Sequence, residues 1–216
     1  MSKRGETRDS ILNAAAKLFH RNGFDKTSMD EIAKVVDKAK GALYYYFPSK
    51  EYLYKEVVRD EMLQIEAQLE QIVDNGNLVI YEKLKQYLLL RMKLIKNSMN
   101  FSQTSLIGLR EKTEDRKVLD CLNEVRNDFD RWETAQFVKI IQIGILSNDL
   151  KIDIDVSAFA DMMIMLLKGL EVQFIAQNKY NQYILTFNSL VELLISSIQT
   201  ISMMNMHSYT PIDKNA

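Results

Sequence analysis

The stretch richest in usable chemistry is Lys40-Gly41-Ala42-Leu43-Tyr44-Tyr45, with Lys50 shortly after it. A lysine ammonium and a tyrosine hydroxyl both donate hydrogen bonds to phosphate oxygens, and a lysine also reaches a guanine edge. Gly41 and Ala42 put no bulk between a helix and a surface lying against it. Donors interleaved with small residues describe a helix face built for close approach to a polyanion. Lys50 falls in the first turn of the next helical stretch. A helix N-terminus attracts anions, and a full positive charge there adds to the attraction.

Such side chains need a rigid mount, and the preceding residues supply one. Met29, Ile32, Ala33 and Val36 recur at helical spacing and form one apolar stripe. Ser28 with Glu31 makes a capping box that fixes where this helix starts. Asp37-Lys38 interrupts the pattern, and a second short helix follows. Pro48 pushes Phe47 out of helical geometry and ends the unit. Two short helices with so short a joint suit a helix-turn-helix, whose second helix enters the major groove.

Residues 11 to 53 resemble the DNA-binding domain of TetR/AcrR-type transcriptional repressors. The resemblance rests on Gly23-Phe24, Thr27-Ser28, Glu31-Ile32-Ala33, the run Lys40 to Phe47, and Ser49-Lys50-Glu51-Tyr52-Leu53. Two positions depart from the family pattern. Asp37 stands where the turn usually has glycine, and Lys38 stands where an apolar residue is usual. Asp tolerates the left-handed conformation that such a turn needs. The resemblance implies DNA contacts from Thr27, Ser28, Lys38, Lys40, Gly41, Ala42, Tyr44, Tyr45 and Lys50. It also places Tyr44 and Tyr45 outward, which periodicity leaves open between core and contact, while Tyr46 reads as core because it sits one residue before Phe47 and beside the helix end.

Composition agrees with a helical chain. The 216 residues are 47% apolar with only 7 Gly and 2 Pro, so helix breakers are scarce and an all-α class follows. The net charge of −1 conceals a basic head and an acidic body: residues 1–50 carry +4 and residues 51–216 carry −5. A domain boundary is expected near residue 50, with a helix-turn-helix head over 1–50 and a ligand-binding and dimerisation body over 51–216. Cys121 is the only cysteine, and His20 and His207 lack ligand spacing, so neither a disulfide nor a metal centre is expected. No signal-peptide core and no uninterrupted transmembrane run is visible, which points to a soluble cytoplasmic protein. No catalytic constellation or phosphate loop appears, and neither an enzyme nor a cofactor is expected.

About nine helices are expected. The first runs from about residue 9 to 22, and residues 1–7 read as disordered. After the helix-turn-helix pair come helices over about 49–73, 78–97, 101–110, 116–146, 156–178 and 181–204. The last two are apolar on more than one face: Phe159, Met162, Met163 and Leu166 form one stripe, Ile164 and Met165 mark a second. A surface helix needs only one such stripe. In the resembled family the last two helices form a four-helix dimer interface, which implies a homodimer.

A ligand pocket is expected in the body, walled by Tyr87, Phe101, Phe129, Trp132, Phe159 and Met163, with Arg91 as its cation. Arg91 shares an apolar stripe with Leu84, Leu88 and Ile95, and a buried charge needs a partner. Either Arg91 drifts off the stripe and snorkels to solvent, or one of two partners holds it. A ligand carboxylate would make the inducer an apolar or amphipathic acid; an internal carboxylate, Glu133 or Asp161, would make Arg91 structural. By resemblance, the chain is a homodimeric repressor that sits on a partly palindromic double-stranded operator and is released by a small-molecule inducer. The alternative is a helical ligand-binding or adaptor protein that no longer binds DNA.

Overall fold

Helices begin and end where local chemistry dictates. In the computed structural model, which describes residues 3–104, 116–151 and 153–208, every regular element is helical. The order is α1 (Lys3–Asn22), α2 (Met29–Val35), α3 (Lys40–Tyr46), α4 (Lys50–Val73), α5 (Ile80–Asn97), α6 (Arg116–Leu146), α7 (Val156–Glu171) and α8 (Tyr180–Ser208), with a π-helical turn over Val172–Ala176 after α7. The helix expected over 101–110 is represented by a short 3-10 turn at 101–104, and its remainder lies outside the described residues.

Helix α1 starts six residues earlier than its apolar stripe suggests, at Lys3 rather than near residue 9. The added turns carry Arg4 and Arg8, whose guanidinium carbons lie 5.1 Å over the Tyr45 ring and 5.2 Å over the Phe47 ring. Arg8 also donates to Glu56 at 2.6 Å. A polar segment with no apolar periodicity is thus held as helix by side chains it meets only in the folded chain. Gly23, at φ 82°, closes α1 in the left-handed region that glycine adopts freely.

The chain divides into two compact units, residues 1–66 with 94–129, and residues 67–93 with 130–216. Helices α4, α5 and α6 each supply residues to both. In the first unit Ile11, Ala15, Phe19, Ile32, Leu43 and Phe47 are buried and form a small core, while Phe24 and Val36 are half-buried. Glu61 of α4 anchors the segment after α5. Its carboxylate accepts from the Asn100 backbone N–H (2.7 Å), the Asn100 side-chain amide (2.8 Å) and the Phe101 N–H (2.7 Å).

In the second unit Leu84 and Leu88 of α5, Phe137, Ile140 and Ile141 of α6, and Ala160, Ile164 and Leu167 of α7 are buried. Lys83 is buried too, and its ammonium donates to the Val73 and Asn75 carbonyls at 2.6 and 2.7 Å. It thereby satisfies carbonyls that the end of α4 leaves without helical partners. At Gly144 the helices meet without clearance: a Cβ there would lie 2.7 Å from Cγ1 of Ile80 and 3.1 Å from Cβ of Leu150.

Candidate nucleic-acid interface

The mount for the recognition residues is set by its caps. Ser28 and Glu31 form the expected capping box at the start of α2. At its end the Asp37 N–H reaches the Lys34 carbonyl and the Lys38 N–H reaches the Ala33 carbonyl, 3.3 and 3.0 Å away. That pair of bonds is a Schellman stop, and Asp37 takes the left-handed position at φ 51°. Aspartate therefore does at this turn what glycine usually does, and Lys38 is left exposed rather than packed.

Helix α3 buries Leu43 completely and presents its other side outward. Lys38, Lys40, Gly41, Tyr44 and Tyr45 are exposed, Ala42 and Lys50 half-buried. Tyr45 is 65% exposed and Tyr44 44%, whereas Tyr46 is half-buried. A Cβ on Gly41 would meet nothing within 4 Å, so the glycine is not required by the fold itself.

Three cations on or beside this face, Lys40, Arg4 and Lys50, have light, replaceable engagements. Lys40 pairs with Asp30 at 2.8 Å, both side chains about half exposed, and the Asp30 hydrogen bond raises the ammonium's pKa. Arg4 lies over the exposed Tyr45 ring. The Lys50 ammonium donates to the Phe24 carbonyl at 3.0 Å and sits 4.1 Å from the Phe24 ring centroid. Thr27 and Ser28 are placed differently. Thr27 is buried, and its hydroxyl donates inward to the Gly23 carbonyl at 2.8 Å. The Ser28 hydroxyl is spent on the Glu31 cap. Neither Arg4 nor Asp30 was visible as a participant in the sequence, since nothing in the spacing joins either to α3.

The residues nominated for a ligand pocket fall in both compact units. Phe101 and Phe129 belong to the first, with ring centroids 5.1 Å apart and Arg126 stacked 5.7 Å from each. Tyr87, Arg91, Trp132, Phe159 and Met163 belong to the second. Tyr87 and Met163 are buried there, and Trp132 and Phe159 are half-buried.

Arg91 has an internal partner, as the competing account required. Its Nε and Nη2 form a bidentate pair with Glu133, the Nη2–Oε2 arm at 2.7 Å, and Nη2 also meets Glu171 Oε1 at 2.5 Å. The Tyr87 hydroxyl donates to Glu133 at 3.2 Å. Arg91 and Glu133 are 0% exposed and Glu171 1%. Burial alone would lower the guanidinium's pKa, but the two carboxylates outweigh it and raise the value. Glu171 was missed, although Met163, Leu167 and Glu171 fall four residues apart on the buried face of α7. That spacing was the available signal. Asp161 is exposed.

Comparison with known proteins matches this geometry. The model of the bacterial regulatory proteins of the tetR family covers residues 11–57, which contain α2, α3 and the start of α4. The HTH-type transcriptional regulator QacR of Staphylococcus aureus is 27% identical over 193 residues, spanning 88% of this chain and 97% of that one. Residues 11–57 thus match the DNA-binding domain of the TetR family. A transcriptional regulator from Cytophaga hutchinsonii superposes with a TM-score of 0.71 at 26% identity, covering 88% of this chain and 96% of that one. The regulator FadR from Bacillus subtilis, solved with stearoyl-CoA, shares the fold at a TM-score of 0.65 and 22% identity over 88% and 98% of the two chains. At the level these matches reach, the chain is a DNA-binding transcriptional regulator.

Proposed function

We propose that the chain is a dimeric repressor that binds a partly palindromic duplex through α3 and is released by a small molecule held in its C-terminal helices. The observation that carries this reading is the outward face of α2–α3. Lys38, Lys40, Tyr44 and Tyr45 are exposed around an uncrowded Gly41. We add Arg4 to the phosphate contacts and assign Thr27 and Ser28 to shaping the turn. In this reading, contacts to phosphate fix register, while Lys40, at the start of α3, reads a base edge.

Assembly is supported by the apolar surface of the second unit. Helix α8 packs Phe187, Val191 and Ile195 inward at four-residue spacing, and Ser202 Oγ accepts from the Lys151 N–H at 2.9 Å. Its other side exposes Leu190, Leu193 and Met204, and α7 exposes Met162, Met165 and Leu166. By length and hydropathy alone, Tyr180–Met204 could cross a membrane. A helix already seated on the protein along one side, with Glu192 paired to Lys85 at 2.8 Å, fits a protein partner better. A second copy supplies the same apolar surface and closes the contact by twofold symmetry. The protein works in the cytoplasm, where its duplex is.

Arg91 is not the inducer's cation in this reading, because its fork is already filled by Glu133 and Glu171. Apolar and aromatic side chains of the body carry ligand recognition instead.

The test is selection of a duplex from a random pool followed by titration at several salt concentrations. Affinity for the selected duplex should exceed that for random DNA by at least about a thousandfold and fall steeply with salt. Equal affinity for the two would end the repressor reading. Light scattering should give twice the chain mass for the wild type, and L193E should lower it.

A further inference from the structure

The first unit contains a cavity of about 280 Å³ that none of the proposed DNA or ligand contacts uses. Its walls come from the end of α1, the turn after it, α4, the segment 99–103 and the start of α6. Phe19, Phe24 and Tyr54 line it and pack on one another, with centroid separations of 5.8, 4.9 and 5.1 Å. The volume lies just under the range for drug-sized ligands, about 300–1,000 Å³, and suits one aromatic ring with a substituent.

Two of the polar lining groups, His20 and Asp25, favour a ligand that donates. His20 Nδ1 lies 3.0 Å from the Met99 carbonyl, which only accepts, so Nδ1 carries the proton. In the neutral ring Nε2 is then an acceptor. Asp25 also lines the cavity, and its carboxylate accepts only.

One lining residue connects the cavity to the DNA face. The Phe24 carbonyl accepts from the Thr27 N–H at 3.2 Å and from Lys50 Nζ at 3.0 Å, and the Phe24 ring lies under that ammonium at 4.1 Å. Phe24 thus holds both the turn that leads into α2 and a lysine assigned to phosphate.

We propose that this cavity is an effector site for a small planar aromatic molecule bearing an N–H or O–H donor, and that its occupancy keeps Lys50 on the Phe24 carbonyl and away from phosphate. The second half rests on the DNA-binding reading above; the first does not. A ligand stacked against Phe24 binds the conformer with Lys50 held better than the conformer with Lys50 on DNA. Occupancy therefore weakens DNA binding, and DNA weakens occupancy by the same factor.

Three probes of one size separate the chemistry: benzamidine, a cationic donor; benzamide, a neutral donor; and benzoate, an acceptor only. Titrations of the full chain are followed by amide chemical shifts. Benzamidine and benzamide should bind the wild type about tenfold more tightly than benzoate, the value of one hydrogen bond. L119W, which fills the cavity from α6, should abolish binding, and H20L, which removes an acceptor with little change of volume, should weaken the donor probes selectively. Saturating benzamide should lower duplex affinity severalfold in the wild type and leave K50M unchanged. Benzoate binding as well as benzamide, or donor probes still binding L119W and H20L at wild-type strength, overturns the site. Binding with no change in duplex affinity overturns the coupling. A wild type that binds no duplex defeats the function proposed above, while the probe titrations still decide the site.

Discussion

The cations around α3 and the buried arginine of α5 are handled in opposite ways. Lys40 has one partner, Asp30, at a half-exposed site. Lys50 has a neutral carbonyl and a ring face, and Arg4 has an exposed ring. Each engagement is one that a phosphate can replace at little cost, because exposed pairs contribute roughly 0–1 kcal/mol. Arg91 lies between two carboxylates with no exposure. Its charge cannot be withdrawn without stranding others. The difference teaches where an incoming ligand can compete: binding groups are kept in loose, solvent-reached contacts, and structural charge is kept in closed ones.

Replacing Arg91 should break the comparison most visibly. R91M leaves Glu133 and Glu171 buried without their guanidinium, and chemical denaturation should show a loss of roughly 3–5 kcal/mol. Wild-type stability in R91M would mean that the cluster is not holding the second unit together. The next largest effect is expected on DNA and not on stability. G41V adds bulk where the fold has open space, so the melting temperature should hold while duplex affinity falls at least about a hundredfold, as for a lost close approach to base edges. A G41V protein that binds normally would remove α3 from the interface.

Smaller changes sharpen the picture of loose pairing. R4A should weaken all duplexes alike and reduce the slope of log K against log salt by about 0.9, the signature of one phosphate contact. R4A with an unchanged slope would leave Arg4 as a mere prop for Tyr45. D30N should act in the other direction. It frees Lys40 and removes a negative charge beside α3, so affinity should rise about two- to threefold at low salt and converge with wild type at high salt. A fall in affinity would show that Asp30 aims Lys40 rather than detaining it.

The head was legible in the sequence because its signals are local. The Ser28–Glu31 box, the Asp37 turn and Pro48 each act within a few residues, and the helices lie where those residues put them. Outward placement of Tyr44 and Tyr45 came from the resemblance, since three consecutive tyrosines have no period. The Arg91 partner was half legible: Glu133 was a candidate, while Glu171 lay hidden in a helix read as apolar on more than one face. Contacts between distant stretches were not legible at all. Arg4 over Tyr45, Asp30 with Lys40 and Glu61 capping the segment at Asn100 join residues that only the fold brings together. The extension of α1 to Lys3 is of that kind, because its stability comes from rings on α3 and just beyond it.

Gly144 bears on how this protein can be engineered. Exchanging a glycine inside a helix for alanine ordinarily improves thermostability by roughly 1 kcal/mol, and such exchanges are a usual first choice in stabilisation libraries. At Gly144 the added methyl would have to displace the Ile80 side chain, which is itself buried at the first residue of α5. G144A reverses the usual sign, and a library built on helix propensity alone would lose its gains here. The remedy is a paired exchange, G144A with I80V, which vacates Cδ1, one of the two nearest Ile80 atoms, but leaves the other in place. Recovery by the pair would therefore be partial, and drift at position 144 is tied to drift at position 80.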